Sequence, residues 1–341
     1  MKMTKFKQMT FDAFGFTFLG LVLLAIIFQP NEEAMLDLER NFFITMSLFI
    51  ISCLLSLVLK KNKITTWGIK LFPLPTQKHI HVSKWYQNFW IWQMLVTLLV
   101  CFVIAFIKTR FSFRELFDEA GFQGAIRLFQ ALLHPNWEVL PRAVLNIIET
   151  IFMAFLATAL AIPFAFVLSF LSAKNIMKSP MAFSVYILLR TLLNVTRSIE
   201  ALIWAIIFTV WVGIGPFAGM LALFIHSIVS LAKQYSEMVE SVQEGPIEGI
   251  QATGANQLQT IWYAIVPQVI LPYISFTVYR WDINVRMATI IGLVGGGGIG
   301  TMLQQYQGQA MWNEVGCIIF VIAVVVWVMD QASAVIREVL K

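Results

Sequence analysis

Four polar side chains interrupt one long apolar stretch: Arg280, Asp282, Asn284 and Arg286. If that stretch crosses a bilayer, a charge near its centre costs about 2.5–3.5 kcal/mol on insertion scales, so these groups must face protein or water. Asp282 and Arg286 stand four residues apart and share a helix face, which makes a local ion pair natural. Arg280 points elsewhere. Two chemistries fit. One is an ion pair with a polar lock to a neighbouring span. The other is a path for an anion, because the planar guanidinium fork offers paired donors to a phosphoryl group.

Arg190, Arg197 and Glu200 lie at the start of an earlier apolar stretch. Arg197 and Glu200 are one helical turn apart, which suits anchoring at the interface or a gate at the cytoplasmic mouth of a path. Gly295, Gly297 and Gly300 fit G-x-G-x-x-G within the run Gly295-Gly296-Gly297-Gly298-Ile299-Gly300. That run follows an apolar span rather than a strand and no suitable acid comes after it, so it is not a dinucleotide fingerprint. Closely packed backbone at the outer mouth is the expected use. Its N–H groups could also meet an oxyanion there.

Catalytic and metal chemistry find little support. His79, His81, His134 and His226 do not group, and a zinc site needs three or four convergent ligands. Cys53, Cys101 and Cys317 fall in apolar runs and read as core thiols. No nucleophile–base set emerges. The sequence contains no Gly-Lys dipeptide, so a phosphate-cradling ATP loop is missing. No metal and no cofactor is expected on this chain, and it is not expected to be an enzyme.

The elements that must position these residues are membrane spans. Of 341 residues 59% are hydrophobic and 13% charged, with mean hydropathy +0.77. A soluble domain could not hide that surface, so the bilayer is the solvent for much of it. Eight stretches have the length of a spanning helix, near 13–29, 42–59, 88–108, 146–171, 185–213, 216–233, 268–292 and 314–336. The fifth carries the Arg190–Glu200 charges, so its first turns are expected along the interface. The net charge of +5 reads as loop asymmetry, not as nucleic-acid affinity. With both termini in the cytoplasm, 14 basic residues fall inside and 6 outside. The acidic loop around Glu32, Glu33, Asp37 and Glu39 then lies outside. The outside segment 109–145 is basic, and its Phe122, Ile126 and Phe129 spacing suggests an interfacial amphipathic helix. Trp85, Tyr86, Trp90 and Trp92 read as an aromatic belt. The first apolar run lacks a cleavage site and reads as an uncleaved anchor. The basic segment 60–87, with Pro73 and Pro75, suggests a boundary near residue 80 between an N-terminal two-helix extension, 1–80, and the rest, 81–341.

A polar insert, Glu237 to Pro267, lies on the cytoplasmic side of this arrangement. Pro246 suits a first helical turn. Ile247, Ile250, Gly254, Leu258 and Ile261 then recur at helical spacing and predict one short amphipathic helix with Gly254 on its apolar face. A glycine there costs about 1 kcal/mol relative to alanine, which points to a close backbone approach or a bend. A helix that merely covers the membrane face and a helix that docks a soluble partner both fit.

The insert resembles the shared loop of the inner-membrane permease subunits of ABC importers: Glu-Ala-Ala, three residues, Gly, nine residues, Ile-x-Leu-Pro. Glu248, Gly254 and Pro267 stand at the matching places, while Gly249 and Ile250 replace the alanines, Ala264 replaces Ile and Val266 replaces Leu. Four further stretches resemble the phosphonate-type permeases. They are Arg197 to Ala205, Val212 to Gly219, Tyr279 to Arg286, and Gly292 to Gly300. The resemblance covers about 85–341. It implies an all-α polytopic fold with a six-helix type I core, to which the first two spans are an addition. It implies that Glu248, Gly249, Ile250, Gly254 and Pro267 form a coupling helix on an ATP-hydrolysing subunit, where ATP and Mg would sit. It further implies import of a phosphonate or related phosphorus oxyanion across the plasma membrane. The expected partners are a second copy of the chain, two ATP-binding subunits and an extracytoplasmic binding protein. A permease for another anion or an amino acid, or a membrane-embedded enzyme or scaffold, are the alternatives.

Overall fold

The computed structural model describes residues 2–28, 37–62, 64–72 and 85–339. Glu32, Glu33, Pro73, Pro75, His79, His81 and the boundary expected near residue 80 lie outside the described residues. Every regular element among the described residues is helical. Among the described residues seven helices are long and apolar enough to cross a membrane, and an eighth candidate is a pair of helices bent by 85°. The eight stretches of the sequence are thus all present as helices, the fifth of them broken.

The chain divides into two compact units, Met1–Asp118 and Glu119–Lys341. The first holds α1 (Lys2–Phe28), α2 (Leu38–Lys61), the short α3 (Trp67–Leu71) and α4 (Phe89–Lys108). The third span therefore belongs with the first two, because α4 packs against α1 and α3. A buried polar knot explains the grouping. Asp12 of α1 accepts from the Gly68 N–H at 2.6 Å and from the Thr66 hydroxyl. Gln93 of α4 accepts from the Trp67 N–H at 3.2 Å, and Lys60 of α2 donates to Gln8 at 3.0 Å. A side chain at Gly68 would collide with the Gln8 carbonyl and the Asp12 carboxylate. Trp85, Tyr86 and Trp92 are exposed near the start of α4, as a belt requires. Cys101 of α4 is also exposed, so it is not a core thiol, whereas Cys317 is buried.

The second unit begins with α5 (Glu119–Leu133), an amphipathic helix with no buried residue. It continues through α6 (Leu140–Leu171), α7 (Pro180–Arg197), α8 (Ala201–Val212), α9 (Pro216–Glu240), α10 (Glu244–Ala252), α11 (Val266–Gly292), α12 (Gly298–Gly308) and α13 (Trp312–Val339). Its core is a close pair, α6 against α9. Ala154, Ala157, Ala161 and Ala165 recur every three or four residues on α6 and are fully buried, as are Ala143 on the same helix and Ala218 and Ala222 on α9. Such small residues let backbones approach where no hydrophobic force separates helix from lipid. Ser179 caps α7, accepting from the Ala182 N–H at 3.3 Å, with Pro180 in the first turn. Gly213 and Gly215, with φ of +94° and +155°, turn the chain between α8 and α9.

Candidate functional site

The four polar residues of the seventh apolar stretch lie on α11 and split into two groups. Arg280, Asp282 and Asn284 are 7%, 2% and 0% exposed. Asn284 donates to Thr158 of α6 at 2.8 Å and to Ser227 of α9 at 2.7 Å, and the Arg280 Nε donates to the same Ser227 hydroxyl at 3.3 Å. This is an interhelical lock among α6, α9 and α11. The second Arg280 nitrogen, Nη2, has no partner among the described residues, nor do the Asn284 Oδ1 and the Trp281 Nε1. Arg286 is different. It is 45% exposed on its side chain and bridges two carboxylates, Asp282 at 2.5 Å and Asp330 of α13 at 3.0 Å. Its charge is already matched, so Arg280 is the guanidinium with donor capacity to spare. Asp330 was invisible to spacing rules because it lies on another helix.

Arg197 and Glu200 do not share a helical turn. Arg197 ends α7 and Glu200 caps α8, on opposite sides of the 85° break. The chain bends because Ser198 and Ile199 leave the helix, closing only short turns back to Asn194, Val195 and Thr196. Both charged side chains are exposed. Arg190 takes a different partner: it donates to Glu240 at 2.7 Å and to the Ser172 carbonyl at 3.2 Å.

The polar insert is two pieces rather than one helix. Gly254 is not on a helical face. It adopts φ +82°, a left-handed conformation that ends α10, and a Cβ there would meet nothing within 4 Å. Bending, not close approach, is therefore its role. Asn256 and Gln259 then form a reciprocal cap, both bonds 2.9 Å, that starts a new turn at Gln257–Thr260. A π-helical turn, Ile261–Ile265, leads into α11, where Pro267 occupies the first turn. Glu248, Gly249, Gly254 and Pro267 are exposed and Ile250 is half-buried. A methyl group at Gly249 would also meet nothing within 4 Å, so the alanine usual in the resembling loops fits here. The insert is tied down by bonds that sequence reasoning missed. Glu240 accepts from the Lys174 N–H at 2.9 Å, Asn175 donates to the Val239 carbonyl at 2.7 Å, and Gln257 donates to the Ile176 carbonyl at 3.0 Å. A cavity of about 710 Å³ opens beside α10, with Lys178, Glu240, Glu244 and Glu248 among its lining residues.

The glycine run is packed backbone. Gly295, Gly296, Gly297, Gly298 and Gly300 are all buried. Gly295 accepts from the Gly215 N–H at 2.9 Å. A Cβ at Gly219 would strike the Gly296 carbonyl, and one at Gly300 the Thr289 carbonyl. Some of the N–H groups of the run have partners: Gly298 donates to Glu149 at 3.3 Å and Ile299 to Thr150 at 2.9 Å. The run joins α6, α9, α11 and α12.

With this arrangement in view, residues 165–340 match the family described as the binding-protein-dependent transport system inner membrane component. The chain belongs to this family. It is the membrane-spanning permease subunit of an ABC importer, and a transporter component rather than an enzyme. It is 32% identical to the phosphite transport system permease protein PtxC of Stutzerimonas stutzeri over 78% of this chain and 96% of that protein. It is 44% identical to the putative cryptic phosphonate transport system permease protein PhnE2 of Escherichia coli (strain K12), over 35% of this chain and 98% of the other. Among solved structures it resembles a chain of the inward-facing MetNI methionine ABC transporter, with TM-score 0.53 and 20% identity over 60% of this chain and 99% of that one. That likeness speaks to the fold alone. The permease is a multi-pass membrane protein, and its family works with a separate ATP-hydrolysing subunit and a substrate-binding partner.

Proposed function

We propose that this permease carries a small phosphorus oxyanion, such as phosphite or a phosphonate, into the cytoplasm. The observation that carries the reading is Arg280, a buried guanidinium within a span whose Nη2 lacks a partner among the described residues. The names of the two relatives supply the chemical class. A charge is held within a span only for a partner or a polar path, and arginine matches a phosphoryl group with paired donors. Arg286, already held by two carboxylates, serves as a lock to α13.

The orientation follows from the basic residues: both termini face the cytoplasm, which puts α10 on the side where ATP is. Glu248, Gly249, Ile250, Gly254 and Pro267 form the docking surface for the ATP-binding subunit, which holds ATP and Mg. One such surface per chain calls for two permease copies, as a symmetric homodimer, with two ATP-binding subunits and an extracytoplasmic binding protein. The break at Arg197 and Glu200 is the gate. The glycine run is the packed backbone of the outer mouth. Residues 119–341 carry transport, and the unit Met1–Asp118 is an addition to it.

The test is uptake of labelled phosphite into vesicles holding the assembled importer. Arg280→Gln is expected to reduce ATP-dependent uptake at least tenfold while the ATP-binding subunit still co-purifies. Uptake equal to wild type in that variant would remove Arg280 from the path.

A further inference from the structure

α6, α7 and α9 meet at one carboxylate. Oε1 of Glu240, the last residue of α9, accepts from the Arg190 guanidinium of α7 at 2.7 Å. The same oxygen accepts from the Lys174 N–H, in the loop between α6 and α7, at 2.9 Å. Arg190 also donates to the Ser172 carbonyl of that loop at 3.2 Å, and the Tyr186 ring, one turn earlier on α7, lies 5.7 Å from its guanidinium carbon. Asn175 of the loop donates to the Val239 carbonyl at 2.7 Å. The arginine and the carboxylate are 24% and 28% exposed on their side chains, so much of the solvent is kept from the pair. A charge-assisted bond of this kind is about twice as strong as a neutral one.

Apolar packing does little to fix α7. The helix buries one residue, Leu193, which leaves it among the loosely held parts of the fold. Polar bonds to its neighbours therefore decide where it lies. A second pin, Lys233 of α9 donating to Asn194 at 3.4 Å, stands one turn further along α7. Arg190 is seven residues from Arg197, where α7 ends at the 85° break, a distance of about 10 Å at 1.5 Å per residue. Glu240 is four residues from Glu244, where α10 starts. Beyond its other end α10 is tied to the same loop, because Gln257 donates to the Ile176 carbonyl. The Arg190–Glu240 pair thus stands between the exposed helix α10 and the break.

Resting on the reading of α10 as the docking surface and of the break as the gate, we infer that Arg190 and Glu240 are positioning residues that pass a displacement of α10 to the gate. When the ATP-binding subunits draw α10 with them, Glu240 moves with the end of α9. The charged bond then carries Arg190 and α7 along, and the loop between α6 and α7 follows through Lys174 and Asn175. The chain flexes at Ser198 and Ile199, which close only short turns, and the angle between α7 and α8 changes. Without the bond α7 stays behind. ATP is then consumed while the gate does not answer.

The test is hydrogen–deuterium exchange of the assembled permease–ATPase complex, with and without a non-hydrolysable ATP analogue, for wild type, Arg190→Met, Arg190→Lys and Glu240→Gln. In wild type the analogue is expected to change exchange both in α10 and at the break, residues 196–200. Arg190→Met should keep the α10 response and lose more than half of the break response. Arg190→Lys, which retains the charge and a donor, should keep most of it, a rescue that a general loosening of the fold would not show. A break response unchanged in Arg190→Met overturns the inference. If Arg190→Met does not assemble, Glu240→Gln decides. Its amide oxygen still accepts but the charge is gone, so it should also lose at least half of the break response, and an unchanged response overturns the inference. An α10 response with a silent break in wild type removes the inference alone, whereas an absent α10 response removes the docking reading with it. Phosphite accumulated per ATP hydrolysed by the complete importer, measured alongside, should fall at least threefold in Arg190→Met. No accumulation of phosphite or of a phosphonate by wild type removes the substrate reading and leaves the exchange result standing.

Discussion

At the scale of single residues, the charged groups inside the spans are sorted by their partners. Arg286 is matched twice and Arg280 is not, and the difference rests on Asp330. Asp330→Asn leaves the Asp282 bond in place and is expected to have a small effect on stability. Asp282→Ala, which strips the buried side of the bridge, should destabilise the assembled protein more, lowering its thermal midpoint relative to Asp330→Asn. The two exposed loop glycines separate in the same way. Gly249 has room for a methyl group within a helix, so Gly249→Ala should be neutral or stabilising by up to about 1 kcal/mol. Gly254 also has room, but its φ of +82° makes Gly254→Ala cost about 1–2 kcal/mol. Thermal unfolding of the two variants in one detergent checks the sign. The identity of Arg280, Asp282, Asn284 and Arg286 as special was legible in sequence, because charge in an apolar stretch needs a reason. Their partners Ser227, Thr158 and Asp330 were not, since each lies on another helix and only packing brings them together.

At the scale of elements, the spans were legible because about 20 apolar residues are hard to hide. What the pattern could not give was direction. Hydropathy treats 185–213 as one stretch, and the 85° break at Ser198 and Ile199 follows from local hydrogen bonds that leave Arg197 and Glu200 on separate helices. Helical spacing likewise ran through Gly254, because Leu258 and Ile261 keep the period while the backbone changes hand. The consequence is a short, exposed α10 held between the Gln243 N–H bond to Gln268, 3.0 Å, and the Gly254 turn. A helix anchored at both ends and bare on its outer face suits docking. Glu248→Arg is expected to cost at least tenfold in affinity for the ATP-binding subunit while the permease stays folded. Full retention of that subunit on co-purification would make α10 a mere cover.

At the scale of the whole molecule, the division after Asp118 changes where a truncation should fall. Cutting after residue 80 would strip α4 of α1 and α3, exposing Gln93, which now accepts from Trp67. Cutting after Asp118 leaves the second unit with its own α6–α9 core and all of residues 165–340 that match the family. A chain of 119–341 is therefore expected to bind the ATP-binding subunit about as well as the full chain, and a chain of 81–341 to aggregate more, by size-exclusion chromatography in the same detergent. The central claim is that the complete importer moves a phosphorus oxyanion. The direct measurement is ATP-dependent accumulation of labelled phosphite, methylphosphonate, taurine and methionine in vesicles containing the permease, its ATP-binding subunit and its binding protein. Accumulation of phosphite or methylphosphonate, with neither taurine nor methionine above the ATP-free level, is the predicted result. Accumulation of taurine or methionine without either phosphorus oxyanion would contradict it.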